Sequence, residues 1–163
     1  MQTSLKPLSS LRLLSALLWT LGLGAAFGGA VLALDPSGGI LGMPLSILQY
    51  SPFSNFLIPG LILLALFGIG SLVTLWAVWQ RPEWSFGSAL THFTGEHWSW
   101  SAVFALGLGQ VMWIVTQMLM VRGVSWLHVL FGGIGIAIGW VALEPRFRAY
   151  LALETSAVSR GHG

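Results

Sequence analysis

Four long runs of apolar residues, each free of charge, dominate the chain near Leu13–Leu34, Phe53–Trp79, Trp98–Val121 and Val124–Leu143. None alternates apolar with polar residues at a period of two, so none reads as a half-buried strand or a barrel strand. A hydrocarbon core of about 30 Å takes roughly 20 helical residues to cross, and each run supplies that length. The pattern predicts an all-α fold: one polytopic domain over residues 1–163, with four transmembrane helices in an antiparallel bundle. Phe53–Trp79 is the longest run, which implies tilt or a start above the core. The first run follows Lys6 and Arg12 and ends in Val31-Leu32-Ala33, mimicking a secretory signal with its cleavage site. Its apolar stretch exceeds the roughly 7–15 residues of a signal-peptide core, so it reads as a retained helix.

Lys and Arg fix the direction of the spans, because they accumulate in the short cytoplasmic loops of membrane proteins. With the N-terminus inside, Lys6, Arg12, Arg81, Arg146, Arg148 and Arg160 are cytoplasmic and only Arg122 lies outside. Both termini are therefore expected in the cytoplasm. The tryptophans divide the same way. Trp76, Trp79, Trp98, Trp100 and Trp140 fall near the inner boundary and Trp126 near the outer one, as an interfacial aromatic belt requires.

This topology gives the connections their meaning. Residues 35–52 form a long outer loop, uncharged after Asp35. "DPSGG" carries turn chemistry that ends the first helix. Pro44 and Pro52 each suit the first turn of a helix, with Ser51 as N-cap before Pro52. "PLSILQY" reads as a short interfacial helix, and its lack of charge suits a segment half-sunk in headgroups or folded over the bundle mouth. The inner connection "RPEWSFGSALTHFTGEHW" is interfacial too. Trp84, Phe86, Leu90 and Phe93 enter the headgroup region while Glu83 and Glu96 stay wet.

Composition narrows the chemistry. The chain is 55% hydrophobic and 7% charged, against about 25% charged in ordinary soluble domains, so nothing is left for a separate soluble unit. Seven Lys and Arg against five Asp and Glu is too small an excess for a nucleic-acid face, which needs clustered basic residues. Cysteine is absent, which removes disulfides, thiolate nucleophiles and cysteine metal sites. No HExxH, P-loop, GxSxG or intramembrane acidic pair occurs, so no catalytic residue is assigned and an enzyme is the least favoured class. "GGIGIAIG" lies inside a span and lacks the strand–turn–helix setting of a dinucleotide site. His92, Glu96 and His97 match no strong ligand spacing, so no metal is assigned either.

Inside lipid, small residues let helix backbones approach. Gly24-x-x-x-Gly28 in the first span and Gly135-x-x-x-Gly139 in the fourth are the expected helix-packing positions, within the bundle or against another subunit. Candidate ligand-binding residues cluster elsewhere. Gln110 and Gln117, seven residues apart, share a face of the third span, and Trp113 flanks it. An amide at that depth needs a partner, either as a hydrogen bond between helices or on a ligand. The short Arg122–Gly123 connection makes the third and fourth spans antiparallel neighbours and brings His128 level with Gln117. Asn55 belongs to the same side. Gln110, Trp113, Gln117, His128 and Asn55 thus outline a pocket in the outer half of the bundle, beneath the Pro-punctuated loop. It suits a hydrophobic molecule with a polar group, such as a quinone, a lipid or a pigment. His128 has the chemistry of a proton carrier or of an axial ligand to a macrocycle, but the residues name no cofactor.

"LDPSG…MPLSIL…SPFSNFLIPGLIL", followed by further apolar spans, resembles small uncharacterised four-helix membrane proteins of bacteria. The resemblance implies a multi-pass protein of the inner membrane and transfers no activity and no functional residue. Two functions stand ahead of a membrane enzyme, which ranks last. The first is a non-catalytic accessory or assembling subunit, whose partners are the lipid bilayer and other membrane-protein subunits. The second is a binding or transport module that uses the outer pocket.

Overall fold

Each apolar run becomes a helix, and the polar residues beside it decide where it starts and stops. The computed structural model describes residues 8–82, 84 and 97–151. Its long helices are α1 (Leu8–Leu34), α2 (Leu57–Gln80), α3 (Trp98–Val121) and α4 (Trp126–Leu143), followed by a short helix α5 over residues 145–151. No strand occurs among the described residues, and α1 to α4 are each long and apolar enough to cross a membrane. The expected interfacial placing of Glu83, Phe86, Leu90, Phe93 and Glu96 lies outside the described residues. Trp84 is described: it is exposed and meets Trp98 edge-on at 5.2 Å.

The second helix starts later than the apolar run suggested. Ser51 does not cap it; its Oγ accepts from the Phe53 amide at 3.2 Å and closes a local turn around Pro52. The N-cap is Phe56, which has no side-chain cap bond; Asn55 just before it serves the first helical amide instead, with Oδ1 accepting from Leu57 at 3.0 Å. The first intrahelical bond then runs from the Gly60 amide to the Phe56 carbonyl at 2.8 Å. Pro59 fits inside this first turn because an amide there would have no helical partner. "PLSILQY" contributes one 3-10 turn, Leu45–Leu48.

Close contacts give the register. Ser15 Oγ accepts from Trp79 Nε1 at 3.0 Å, and a Cβ placed on Gly29 would lie 2.5 Å from the Leu64 nitrogen. The partner number on α2 falls as the number on α1 rises. The same reversal links α3 to α4: Trp100 Nε1 donates to the Ala142 carbonyl at 2.7 Å, and a Cβ on Gly107 would lie 2.7 Å from the Gly139 nitrogen. Ser10 Oγ donates to Glu144 at 2.6 Å between α1 and the end of α4, while Phe67 and Trp113 join α2 to α3 with ring centres 6.1 Å apart. Leu14, Leu18 and Leu21 of α1 meet Val78, Val103 and Ile138 in the fully buried middle. A smaller cluster of Leu32, Leu48 and Phe56 closes the end that carries the long loop.

Within α2, residues Leu63–Ile69 are wound as a π-helix, a rare geometry that widens the turn. Ser71 Oγ donates to the Phe67 carbonyl at 2.5 Å and so satisfies a backbone acceptor of the widened segment.

Candidate functional site

The long loop is held by its own polar groups. Asp35 accepts at 2.5 Å from the Ser37 hydroxyl, and its second oxygen accepts from the Ile40 amide at 2.8 Å. These bonds, the Ser37 hydroxyl first and the Ile40 amide next, hold the Asp35 carboxyl below its ordinary pKa. Gly38 takes φ +78° at this turn, and a Cβ there would strike the Met43 carbonyl. Leu48 then turns inward, and Arg122 at the end of α3 lies over the Tyr50 ring at 3.8 Å. The loop is therefore fastened to both α1 and α3.

Two of the candidate ligand residues work locally. Asn55 accepts from the Leu57 amide at the start of α2. His128 caps α4: its Nδ1 accepts from the Ser125 amide at 3.0 Å and lies 3.0 Å from the Ser125 hydroxyl. Among the described residues, no hydrogen bond joins Asn55 or His128 to Gln110 or Gln117. Gln117 is half-buried.

Gln110 and Trp113 differ from these. Gln110 is 1% exposed, and a Cβ on Gly135 of α4 would lie 3.0 Å from its Cγ. Its Oε1 is buried and has no protein partner. The expected bond between helices is therefore not made by this oxygen. Trp113 is half-buried against Phe67 and the central cluster, and its Nε1 is likewise buried without a protein partner. An acceptor and a donor thus stand one helical turn apart on the inner side of α3.

The four packing glycines are not equivalent. Gly24 faces the ring of Phe131, and Gly28 makes only an ordinary approach to Leu63 at 3.6 Å. Gly135 meets Gln110 and the Gly107 backbone. Gly139 offers its backbone to Gly107, but a Cβ of its own would meet nothing within 4 Å. The tightest approaches between helices involve Gly29 with α2 and Gly107 with α4, where the opposing atoms are backbone. The seven-residue spacing of Gly22 and Gly29, both against α2, is the sequence signal for this contact, and it is not a GxxxG pattern.

At the opposite end, His97 caps α3 by accepting from the Ser99 amide at 3.3 Å, with the Ser99 hydroxyl 2.8 Å away. Burial first, and the Arg81 charge second, lower its pKa below the ordinary 6.5. His92 and Glu96, its proposed companions, lie outside the described residues. Among the described residues, no three His, Asp or Glu gather as metal ligands. Ser10, Leu11, Arg146, Phe147 and Tyr150 line a recess at this end.

Fold and site define a class: the described residues are all-helical and include four helices of membrane-crossing length and apolarity, compatible with an integral membrane protein. Family models, curated proteins and solved structures contain no match to this chain.

Proposed function

We propose that this chain is a multi-pass integral membrane protein of the bacterial inner membrane, with both termini cytoplasmic, acting as a non-catalytic accessory subunit beside other membrane proteins. One observation carries the membrane reading. The outward faces of all four long helices are apolar, with Phe27, Leu66, Leu119 and Trp140 between 59% and 76% exposed. Such a girdle is unsustainable in water and ordinary against lipid. The bundle is antiparallel, and the strongly unequal division of Lys and Arg orients it. Restriction to the inner membrane rests on the resemblance of the first loop and second span.

The accessory role is supported by how polar side chains are used. Asn55, His97 and His128 accept from backbone amides at helix starts, and Asp35 and Ser71 tie down backbone. None is directed toward a shared reaction centre. The absence of cysteine makes the natural sequence a clean background for topology mapping. Gln49→Cys should react with an impermeant maleimide on intact cells, and Ser159→Cys only after the inner membrane is opened. The reverse pattern refutes the orientation. Gentle extraction followed by native mass spectrometry should then reveal a protein partner in fixed ratio. A chain that always emerges alone, under conditions that preserve known membrane complexes, refutes the accessory role.

A further inference from the structure

We infer that the inner face of α3 holds one neutral hydroxyl group between the Gln110 carbonyl oxygen and the Trp113 indole N–H, supplied by a water molecule or by a lipid-soluble alcohol or quinol. Gln110 is 1% exposed, and two buried atoms, Gln110 Oε1 and Trp113 Nε1, have no protein partner. A buried polar atom without a partner is costly, and nearly all such atoms in folded proteins are satisfied by protein or by a bound molecule. The two residues are three apart on one helix, hence neighbours on its surface.

Their surroundings leave them this task. Gln110 rests on Gly135 of α4, where the missing side chain makes room for the amide. Trp113 faces Phe67 in the π-helical segment of α2, a geometry found often at functional sites. The nearby Phe67 carbonyl is already served by Ser71, so it does not compete for the indole proton. The chemistry of the guest follows from the pair. One side chain needs a donor and the other an acceptor, and a hydroxyl oxygen supplies both. A bare carbonyl would satisfy only Trp113, and a cation only Gln110. The helix itself contains no Asp, Glu, Lys or Arg, so the guest is neutral. Burial of Gln110 is provided by protein alone, so the inference stands apart from the membrane reading.

The test is a double-mutant cycle in mild detergent with Gln110→Met and Trp113→Phe, read by thermal midpoint. If a hydroxyl bridges the pair, either single change strands the remaining polar group. Each midpoint should then fall by several degrees, and the double variant should recover part of the loss. Additive effects overturn the bridge. Because Trp113→Phe also removes ring volume, the cycle is repeated with the benzothiophene isostere of tryptophan at position 113, which keeps the shape and lacks only the N–H. Native mass spectrometry separates the sources. A copurifying alcohol or quinol lost from both single variants identifies an organic guest, whereas non-additivity without such a species identifies water.

Discussion

The contact between α3 and α4 offers the sharpest test of the packing. Gly107→Ala would place a Cβ 2.7 Å from the Gly139 nitrogen and 3.0 Å from the Gly135 carbonyl oxygen. Ordinary contact begins near 3.4 Å, so α3 and α4 must separate locally by roughly 0.7 Å. Both obstructing atoms are backbone, and no flexible side chain can move aside. Overpacking of this kind costs about 1–3 kcal/mol. Gly139→Ala presents the same substitution with no atom within 4 Å of the new methyl. Each variant gains the helix preference of Ala over Gly, about 1 kcal/mol. That gain cancels between them and leaves the steric cost alone. Gly107→Ala should therefore be less stable than Gly139→Ala by about 1–3 kcal/mol, with Gly139→Ala at or above the parent. Reversible unfolding in mixed micelles, followed by circular dichroism across a denaturing-detergent titration, measures the difference. Equal stability of the two variants would refute the close approach at Gly107.

Three further outcomes follow from the helix ends. Asn55→Ala should lose about 1 kcal/mol in the same titration, whereas Asn55→Asp, which keeps an accepting oxygen, should lose little. His97 is held below its ordinary pKa of 6.5, so the unfolded chain takes up its proton first as pH falls. Its contribution is complete above about 6.5 and is lost as pH falls through the lower folded value; thermal midpoints between pH 7.5 and 5 should decline less in His97→Asn, an uncharged cap, and parallel curves would refute the assignment. Arg122→Gly relieves a left-handed conformation at φ 50° but removes the contact with Tyr50, terms of about 1 kcal/mol each with opposite sign. Stability should hardly change while protease cleavage near Tyr50 quickens, and unchanged cleavage would show that Arg122 does not fasten the loop.

The long helices were legible because a charge-free apolar run admits few alternatives. Trp98–Val121 was bounded at both ends by the residues the sequence suggested. Local chemistry was harder to read. Ser51-Pro52 and Asn55-x-x-x-Pro59 are both plausible helix starts. Only the folded chain reveals that Ser51 spends its hydroxyl on a turn. His128 follows Ser125 by three residues, the spacing of a capping box with His in place of Glu or Gln. That local use was readable in principle, but a lone histidine in an apolar span attracts a chemical explanation first. Among the glycines, four-residue spacing was less informative than which neighbour each one faces. Two helices can cross so that Gly29 and Gly107 meet backbone while Gly28 does not, and spacing along one chain contains no information about the second helix.

The same limit applies to the two arginines that end α2 and α3. Arg81 and Arg122 have φ values of 47° and 50°, where glycine is the usual occupant. Each lies over a tyrosine ring, Arg81 over Tyr150 at 3.9 Å and Arg122 over Tyr50 at 3.8 Å. The chain has only these two tyrosines, so both are used at helix ends. A glycine at either place would relax the backbone and leave no side chain to hold the neighbouring segment. Arginine accepts the strained turn and spends its planar cation on the ring. At Arg81 this joins the end of α2 to α5, and at Arg122 it joins the end of α3 to the long loop. Arg122 thus has a packing reason to exist on the side that the charge bias otherwise leaves without Lys or Arg. Under the proposed orientation, this accounts for the one exception to the bias without weakening it.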